Sequence, residues 1–180
     1  MQIFISGGCK NGKSTYAQTL ARRHSGQLYY IATMTATDDE DIMRIKRHRG
    51  ERVGMGFVTI EQPSDIEGIL GKCDHGGSFL LDSLTALLAN EMFSVIGDFD
   101  SDAYERVVAG LSKVLDQIPN IVIVSDYIYS DAVQYDPFTE NYRKSLAALD
   151  RLVAMRCDTV LEAAYTQIIT HKGSVPNAIY

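Results

Sequence analysis

A chain of 180 residues, 46% hydrophobic and 22% charged, holds enough apolar material for one sizeable core and carries an ordinary globular charge load. Its net charge of −6 argues against a general nucleic-acid binder, which would present a basic face, and no apolar run approaches the roughly 18 residues of a membrane helix. Cys9, Cys73 and Cys157 are scattered without metal-ligand spacing and no signal peptide precedes the first strand, so free thiols and a cytoplasmic location are expected.

The apolar run Ile3-Phe4-Ile5 reads as a buried strand. It leads directly into Gly7-Gly8-Cys9-Lys10-Asn11-Gly12-Lys13-Ser14, which fits G-x-x-x-x-G-K-[ST], and Thr15 to Arg23 follows as a helix with basic residues in its last turn. Strand, glycine loop and helix are the setting a phosphate-binding loop requires. Gly7 and Gly12 are expected to adopt backbone angles that a side chain would penalise. The loop then turns its N–H groups around phosphate oxygens at the positive end of the helix, with Lys13 on the β- and γ-phosphates and the Ser14 hydroxyl on Mg²⁺. Cys9 reads as a small loop residue whose backbone matters.

A second strand, Gln27 to Ala32, ends in Thr33-Met34-Thr35, at the edge where open α/β sheets bind ligands. Asp38 caps the next helix, Asp38 to Arg49, with acids in its first turn and bases in its last, and with Ile42 and Ile45 on one face. His48 sits among Lys46, Arg47, Arg49 and Arg52. It reads either as a surface histidine on a solvated basic helix end, or as a nucleophile or acid/base group that neighbouring cations keep neutral. Gly50 to Gly56 reads as a loop, Phe57 to Glu61 as a short strand, and a helix begins at Asp65. Phe79-Leu80-Leu81-Asp82 is an apolar strand ending in an acid; beside a phosphate loop, Asp82 is a candidate to support Mg²⁺.

Ser83 to Phe93 reads as a helix with Leu84, Leu87, Leu88 and Met92 inward. A polar break at 97–102 and an amphipathic helix, Ala103 to Gln117, come next. Ile121 to Ser125 is by composition a fully buried strand. Asp126 to Thr139 reads as a long loop of the kind that carries function. A helix from Glu140 to Met155, a strand Thr159 to Ala164 and a hairpin strand Gln167 to His171 complete the pattern. The expected fold is α/β: a P-loop NTPase-like doubly wound, mostly parallel sheet with an antiparallel edge hairpin, forming one domain over 1–173 and a tail over 174–180.

Four stretches resemble the bifunctional adenosylcobinamide kinase/adenosylcobinamide-phosphate guanylyltransferase family of cobalamin synthesis. Gly7 to Ser14 is similar to its Gly-Gly-x-x-x-Gly-Lys-Ser. Tyr30-Ile31-Ala32-Thr33, Asp38-Asp39-Glu40 and Arg44-Ile45-x-x-His48 are similar to its Tyr-Ile-Ala-Thr segment and Arg-Ile-x-x-His helix. Arg52 with Thr59-Ile60-Glu61, and Leu80-Leu81-Asp82-Ser83-Leu84-Thr85 with Asn90, carry the remainder. The resemblance implies a two-step enzyme. A nucleoside triphosphate first phosphorylates the aminopropanol hydroxyl of the corrinoid adenosylcobinamide. GMP then passes from GTP to that phosphate through a GMP–histidine intermediate, at the position matched by His48.

It also implies GTP, ATP and Mg²⁺ as cofactors. Nucleotide contacts would lie at Gly7 to Ser14, at Thr33, Met34 and Thr35, at Arg49, Gly50, Glu51 and Arg52, and at Glu61 and Asp82. A homo-oligomer, often a trimer in the family, is implied as well. Beyond Ser125 the chain departs from the family's Asn-Glu-Val-Gly-x-Gly-Ile-Val-Pro: Ser125-Asp126-Tyr127-Ile128-Tyr129-Ser130-Asp131 stands there. That departure leaves a second reading open, a P-loop kinase for another small alcohol or a nucleotide-regulated binding protein without corrinoid chemistry.

Overall fold

A computed structural model describes residues 1–93 and 99–175; Gly97 and Asp98 of the expected polar break, and 176–180 of the expected tail, lie outside them. Alternating strands and helices build one seven-stranded sheet. Its strands are β1 (Gln2–Gly7), β2 (Leu28–Ala32), β3 (Phe57–Glu61), β4 (Ser78–Asp82), β5 (Ile121–Asp126), β6 (Thr159–Ala164) and β7 (Gln167–Lys172). They run in the order β3-β2-β4-β5-β1-β6-β7, parallel throughout except for the antiparallel edge pair β6–β7. The helices are α1 (Lys13–Ala21), α2 (Asp39–Glu51), α3 (Leu84–Met92), α4 (Ala103–Gln117) and α5 (Pro137–Arg156). The helix expected from Asp65 is a single short 3-10 segment, Ile66–Gly71.

Strand residues alternate between two cores, as the two-residue period of a strand requires. Ile3 and Ile5 face one side with Ala17, Leu20 and Ala21 of α1, together with Leu80, Val122 and Val124. Phe4, Leu81 and Ile123 face the other side, covered by α3, α4 and α5 through Leu87, Leu111 and Leu149. The central strands are buried on both faces, which is why β5 reads as an uninterrupted apolar run. Leu84, Leu87 and Leu88 are fully buried, and each contributes about 1.5–3 kcal/mol by its removal from water.

Most element ends shift by a residue or two, and helix α2 runs on through Gly50 and Glu51, so the loop expected at Gly50 to Gly56 begins only after them; two further differences concern α1 and α5. Helix α1 ends at Ala21, with Arg22 at its C-cap, so no base lies in its last turn. Helix α5 starts three residues earlier than expected: Asp136 accepts hydrogen bonds from the Phe138 and Thr139 N–H groups at 2.9 and 3.1 Å, and Pro137 takes the first turn. An acid cap followed by proline is a strong helix start, and it shortens the expected loop.

Candidate active site

The carboxyl ends of β1, β2, β4 and β5 meet at one edge of the sheet, and the loops leaving them form the site. The phosphate loop is shaped as its glycines require, for two different reasons. Gly12 lies in the left-handed region at φ 85°, and Lys10 joins it at φ 58°. Gly7 is not strained in angle. It is short of space, since a Cβ there would press on the Asn11 side chain and lie 2.5 Å from the Ala163 carbonyl oxygen. The Asn11 amide donates to that same Ala163 carbonyl, tying the loop to β6, and the Lys13 N–H donates to Asn11 Oδ1 at 3.3 Å.

Lys13 is almost wholly buried. Its ammonium donates to the Gly8 carbonyl at 2.9 Å and forms an ion pair with Asp126. Asp126 is one residue that sequence reasoning missed, having been placed in the long loop. It ends β5, directly beside Gly7 in the pairing of β5 with β1. The signal was present: Ile121 to Asp126 is an apolar strand ending in an acid, the same pattern that singled out Asp82 one strand away.

Asp82 accepts a hydrogen bond from the Tyr30 hydroxyl at 2.8 Å through one carboxylate oxygen. Burial, then the Asp82 charge, pushes the Tyr30 phenol far above its ordinary range, so this hydroxyl stays a donor. The Arg52 guanidinium lies over the Tyr30 ring, 3.4 Å from its centroid, and is itself buried. A cation on an aromatic face with little water is among the stronger such contacts. Arg49 instead pairs with Glu61 across the cleft, both half exposed.

Helix α2 carries His48, and its packing is unusual. Asp38 caps it by accepting from the Asp41 N–H at 2.8 Å, with Asp39, Glu40 and Asp41 in its first turn. Yet none of its residues is buried. The expected apolar face of Ile42 and Ile45 does not enter the core: Ile42 is 41% exposed, and Ile45 turns toward the cleft.

The cleft has two compartments. One, of about 310 Å³, is lined by Lys10 to Thr15 of the phosphate loop with Arg47 and Glu51. The other, of about 230 Å³, has a largely apolar floor that includes Tyr30, Met34, Ala86 and Tyr142, with Arg49, Arg52 and Glu61 at its rim. Arg44, His48, Asp82 and Asp126 line both. Arg44 stands one turn before His48, so the two share a helix face; that spacing could have marked it from the sequence.

The His48 ring is mostly enclosed, with Nδ1 3.5 Å from a Glu51 carboxylate oxygen. Burial holds its pKa below the ordinary 6.5. The Asp82 and Glu51 charges push it back up, and Arg44 and Arg47 push it down. The neutral imidazole expected from neighbouring cations is therefore owed first to desolvation, and the cations that contribute are Arg44 and Arg47 rather than Arg49 and Arg52.

The other expected contacts are placed as follows. Thr33 is fully buried, and its side chain is engaged: its hydroxyl donates to the Ser83 carbonyl at 2.8 Å and accepts from the Ser83 N–H at 2.7 Å. Asn90 caps the Thr33 carbonyl at 2.7 Å. Thr33 thus braces the ends of β2 and β4, while Met34 reaches the apolar compartment. Cys9, Thr35 and Gly50 are exposed, and Gly8 is half-buried. Ser14 and Asp82 both line the phosphate-loop compartment. One hydroxyl and one carboxylate are hard oxygen donors that suit Mg²⁺ bound together with phosphates and water. Among the described residues no group of three or more His, Cys, Asp or Glu could hold a metal unaided.

The family profile described as cobinamide kinase / cobinamide phosphate guanyltransferase matches residues 3–166. A bifunctional adenosylcobalamin biosynthesis protein of Pseudomonas aeruginosa is 29% identical over 162 residues, covering 89% of this chain and 91% of that one. A protein of the same description from Escherichia coli is 32% identical over 106 residues, 58% of each chain. Among solved structures, a KaiC-like protein from Pyrococcus horikoshii superposes with a TM-score of 0.54 at 9% identity, covering 96% of this chain and 79% of that one. The RadB recombinase superposes at 0.52 with 15% identity, covering 97% and 82%. At such identities the structural likenesses establish the P-loop NTPase fold alone. No helix of the described residues is long and apolar enough to cross a membrane.

Proposed function

The chain belongs to the cobinamide kinase / cobinamide phosphate guanyltransferase family, and on that premise we propose that it phosphorylates adenosylcobinamide with ATP or GTP and then transfers GMP from GTP to the product through a covalent GMP–His48 intermediate. The observation that carries this reading is the position of His48. Its ring stands on the wall shared by the phosphate-loop compartment and the apolar compartment beside it. A triphosphate seated on Gly7 to Ser14 with its nucleoside in the apolar compartment would run its α-phosphate past that ring.

In the transfer, a neutral His48 nitrogen attacks the α-phosphorus, the α–β phosphoanhydride bond breaks, and pyrophosphate leaves toward Lys13. The imidazole then serves as leaving group to the corrinoid phosphate, so one side chain divides a hard displacement into two easier ones. Arg44 and Arg47 offset the charge that builds on the phosphate. Lys13, whose ammonium donates to the loop carbonyl of Gly8, would stabilise the transferring γ-phosphoryl group in the kinase step. Arg49 and Glu61 form the rim where a base edge with both donors and acceptors would be read. Ser14 and Asp82 would hold Mg²⁺, which when bound neutralises phosphate charge and orients the leaving group. A cytoplasmic homo-oligomer is part of the same reading.

The test is mass spectrometry of the intact chain after GTP and Mg²⁺, without corrinoid. The expected result is a GMP adduct on His48, labile in acid as a phosphoramidate is, and absent from His48→Ala. An adduct that forms equally well in His48→Ala, or that maps to Cys9, would sink the assignment.

A further inference from the structure

We infer that Asp126 is the base that takes the proton from the corrinoid hydroxyl in the kinase step, and that Lys13 masks it until nucleotide binds; the inference rests on the kinase reading above. Phosphorylation of an alcohol must dispose of a proton. As the hydroxyl oxygen bonds to the γ-phosphorus, the bond from that phosphorus to the β,γ-bridging oxygen breaks and the nucleoside diphosphate departs with the electron pair. The hydroxyl proton needs an acceptor within hydrogen-bond reach of the attacking oxygen.

Four carboxylates line the two compartments. Glu51 faces His48 and Arg47, Glu61 holds Arg49, and Asp82 is engaged by Tyr30 and is the metal candidate. Asp126 remains, and its surroundings suit the task. Strand β5 lies between β1 and β4, so its tip stands between the phosphate loop and Asp82. The backbone at this tip is fixed: the Asp126 N–H donates to the Thr85 hydroxyl at 2.8 Å, and the Tyr127 N–H donates to the Gly7 carbonyl at 3.3 Å. The carboxylate is 13% exposed and lines both compartments.

Among the described residues its ion-pair partner is Lys13, the side chain that a triphosphate draws toward itself. A polyphosphate carries more negative charge than one carboxylate, so it wins that ammonium. Asp126 is then left beside the γ-phosphate with its carboxylate oxygens released from the ammonium and open to accept a hydrogen bond from the attacking hydroxyl. Nucleotide loading would in this way expose the base only when there is a phosphoryl group to transfer. The attack on GTP by a neutral imidazole releases no hydroxyl proton, so adduct formation on His48 does not call on Asp126.

The full chain tests this as wild type, Asp126→Asn and Asp126→Glu, each assayed both for phosphorylation of adenosylcobinamide with ATP and for adduct formation with GTP. Asparagine keeps the size and an oxygen for Lys13 but cannot take the proton. Asp126→Asn should phosphorylate about 100-fold or more slowly, while its rate of adduct formation falls less than about tenfold. Asp126→Glu should recover part of the phosphorylation. Phosphorylation by Asp126→Asn within about threefold of wild type would overturn the inference, as would both rates falling together, the result of a merely structural ion pair. A wild-type chain that forms the adduct but phosphorylates no corrinoid overturns the inference and leaves the histidine assignment standing. One that does neither sinks the functional reading and this inference with it.

Discussion

At the scale of single residues, two titrating groups give the site and its support opposite responses to pH. On the proposed reading His48 attacks the nucleotide only when neutral, and burial keeps its pKa below 6.5. The rate of adduct formation should therefore be level from pH 7 upward and fall on the acid side of 6.5, where the ring takes up its proton; a rate still climbing between pH 7 and 8 would contradict the enclosed ring. Asp150 of α5 is buried beneath the loop after β5 and accepts from the Tyr129 hydroxyl at 2.9 Å. Burial, with the Asp126 charge adding, pushes it up to about 6 from 3.8, against the Ser125 and Tyr129 hydroxyls, which hold it down. The folded chain thus binds this proton more tightly than the unfolded chain. Its contribution to stability is complete below pH 3.8, is lost as pH rises toward 6, and is constant above that. The loss is about 3 kcal/mol, from 1.36 kcal/mol per pKa unit. Asp150→Asn keeps an acceptor for Tyr129 and removes the titration. In urea unfolding it should gain on wild type by about that amount between pH 4 and pH 7.5.

At the scale of elements, what was legible in the sequence follows burial. The strands Ile121 to Asp126 and Ser78 to Asp82 are apolar because both faces are covered, so composition alone located them to within a residue. The Gly7 to Ser14 loop was equally plain, since its glycines answer to one backbone geometry and one close approach. Helix α2 was legible as a helix, through Asp38 and its graded charges, but not in its packing. Periodicity put Ile42 and Ile45 on one face, and only the tertiary structure shows that this face borders a cleft instead of a core. The loop after β5 was least legible. In place of the family's glycine pair, the buried guanidinium of Arg143 donates to the Ile128 and Val133 carbonyls at 3.3 Å and pairs with Asp131 and Glu140. An arginine reaching back over a loop has no local pattern to betray it. Segments that bury few apolar side chains open at low free energy. The amides of α2 should accordingly exchange with deuterium well before those of α3, and GTP with Mg²⁺ should slow them selectively. Protection of α2 equal to that of α3 in the free chain would show that the helix is held by something other than its cap and its cleft contacts.

At the scale of the whole molecule, the proposed function asks one phosphate loop to serve two reactions. Strand order brings the tips of β1, β5, β4 and β2 side by side, and the phosphate-loop compartment shares Arg44, His48, Asp82 and Asp126 with the apolar one. Only one Gly-x-x-x-x-Gly-Lys-Ser segment occurs in the sequence. If ATP for the kinase step and GTP for the transfer step both place their phosphates there, the two nucleotides exclude one another and the steps must alternate. Lys13 then contributes to both, to the moving γ-phosphoryl group in the first and to the departing pyrophosphate in the second. Removing a preorganised charge of this kind costs about 2.7–4 kcal/mol of transition-state stabilisation, or 10²–10³ in rate. Lys13→Ala should therefore lower corrinoid phosphorylation and His48 adduct formation by comparable factors in that range, whereas His48→Ala should abolish the adduct and leave phosphorylation partly intact. ATP added to the GTP reaction should also slow adduct formation competitively, with the inhibition relieved by raising GTP. A second nucleotide site would announce itself in either measurement: Lys13→Ala would spare one reaction, or ATP at saturation would leave the adduct rate unchanged.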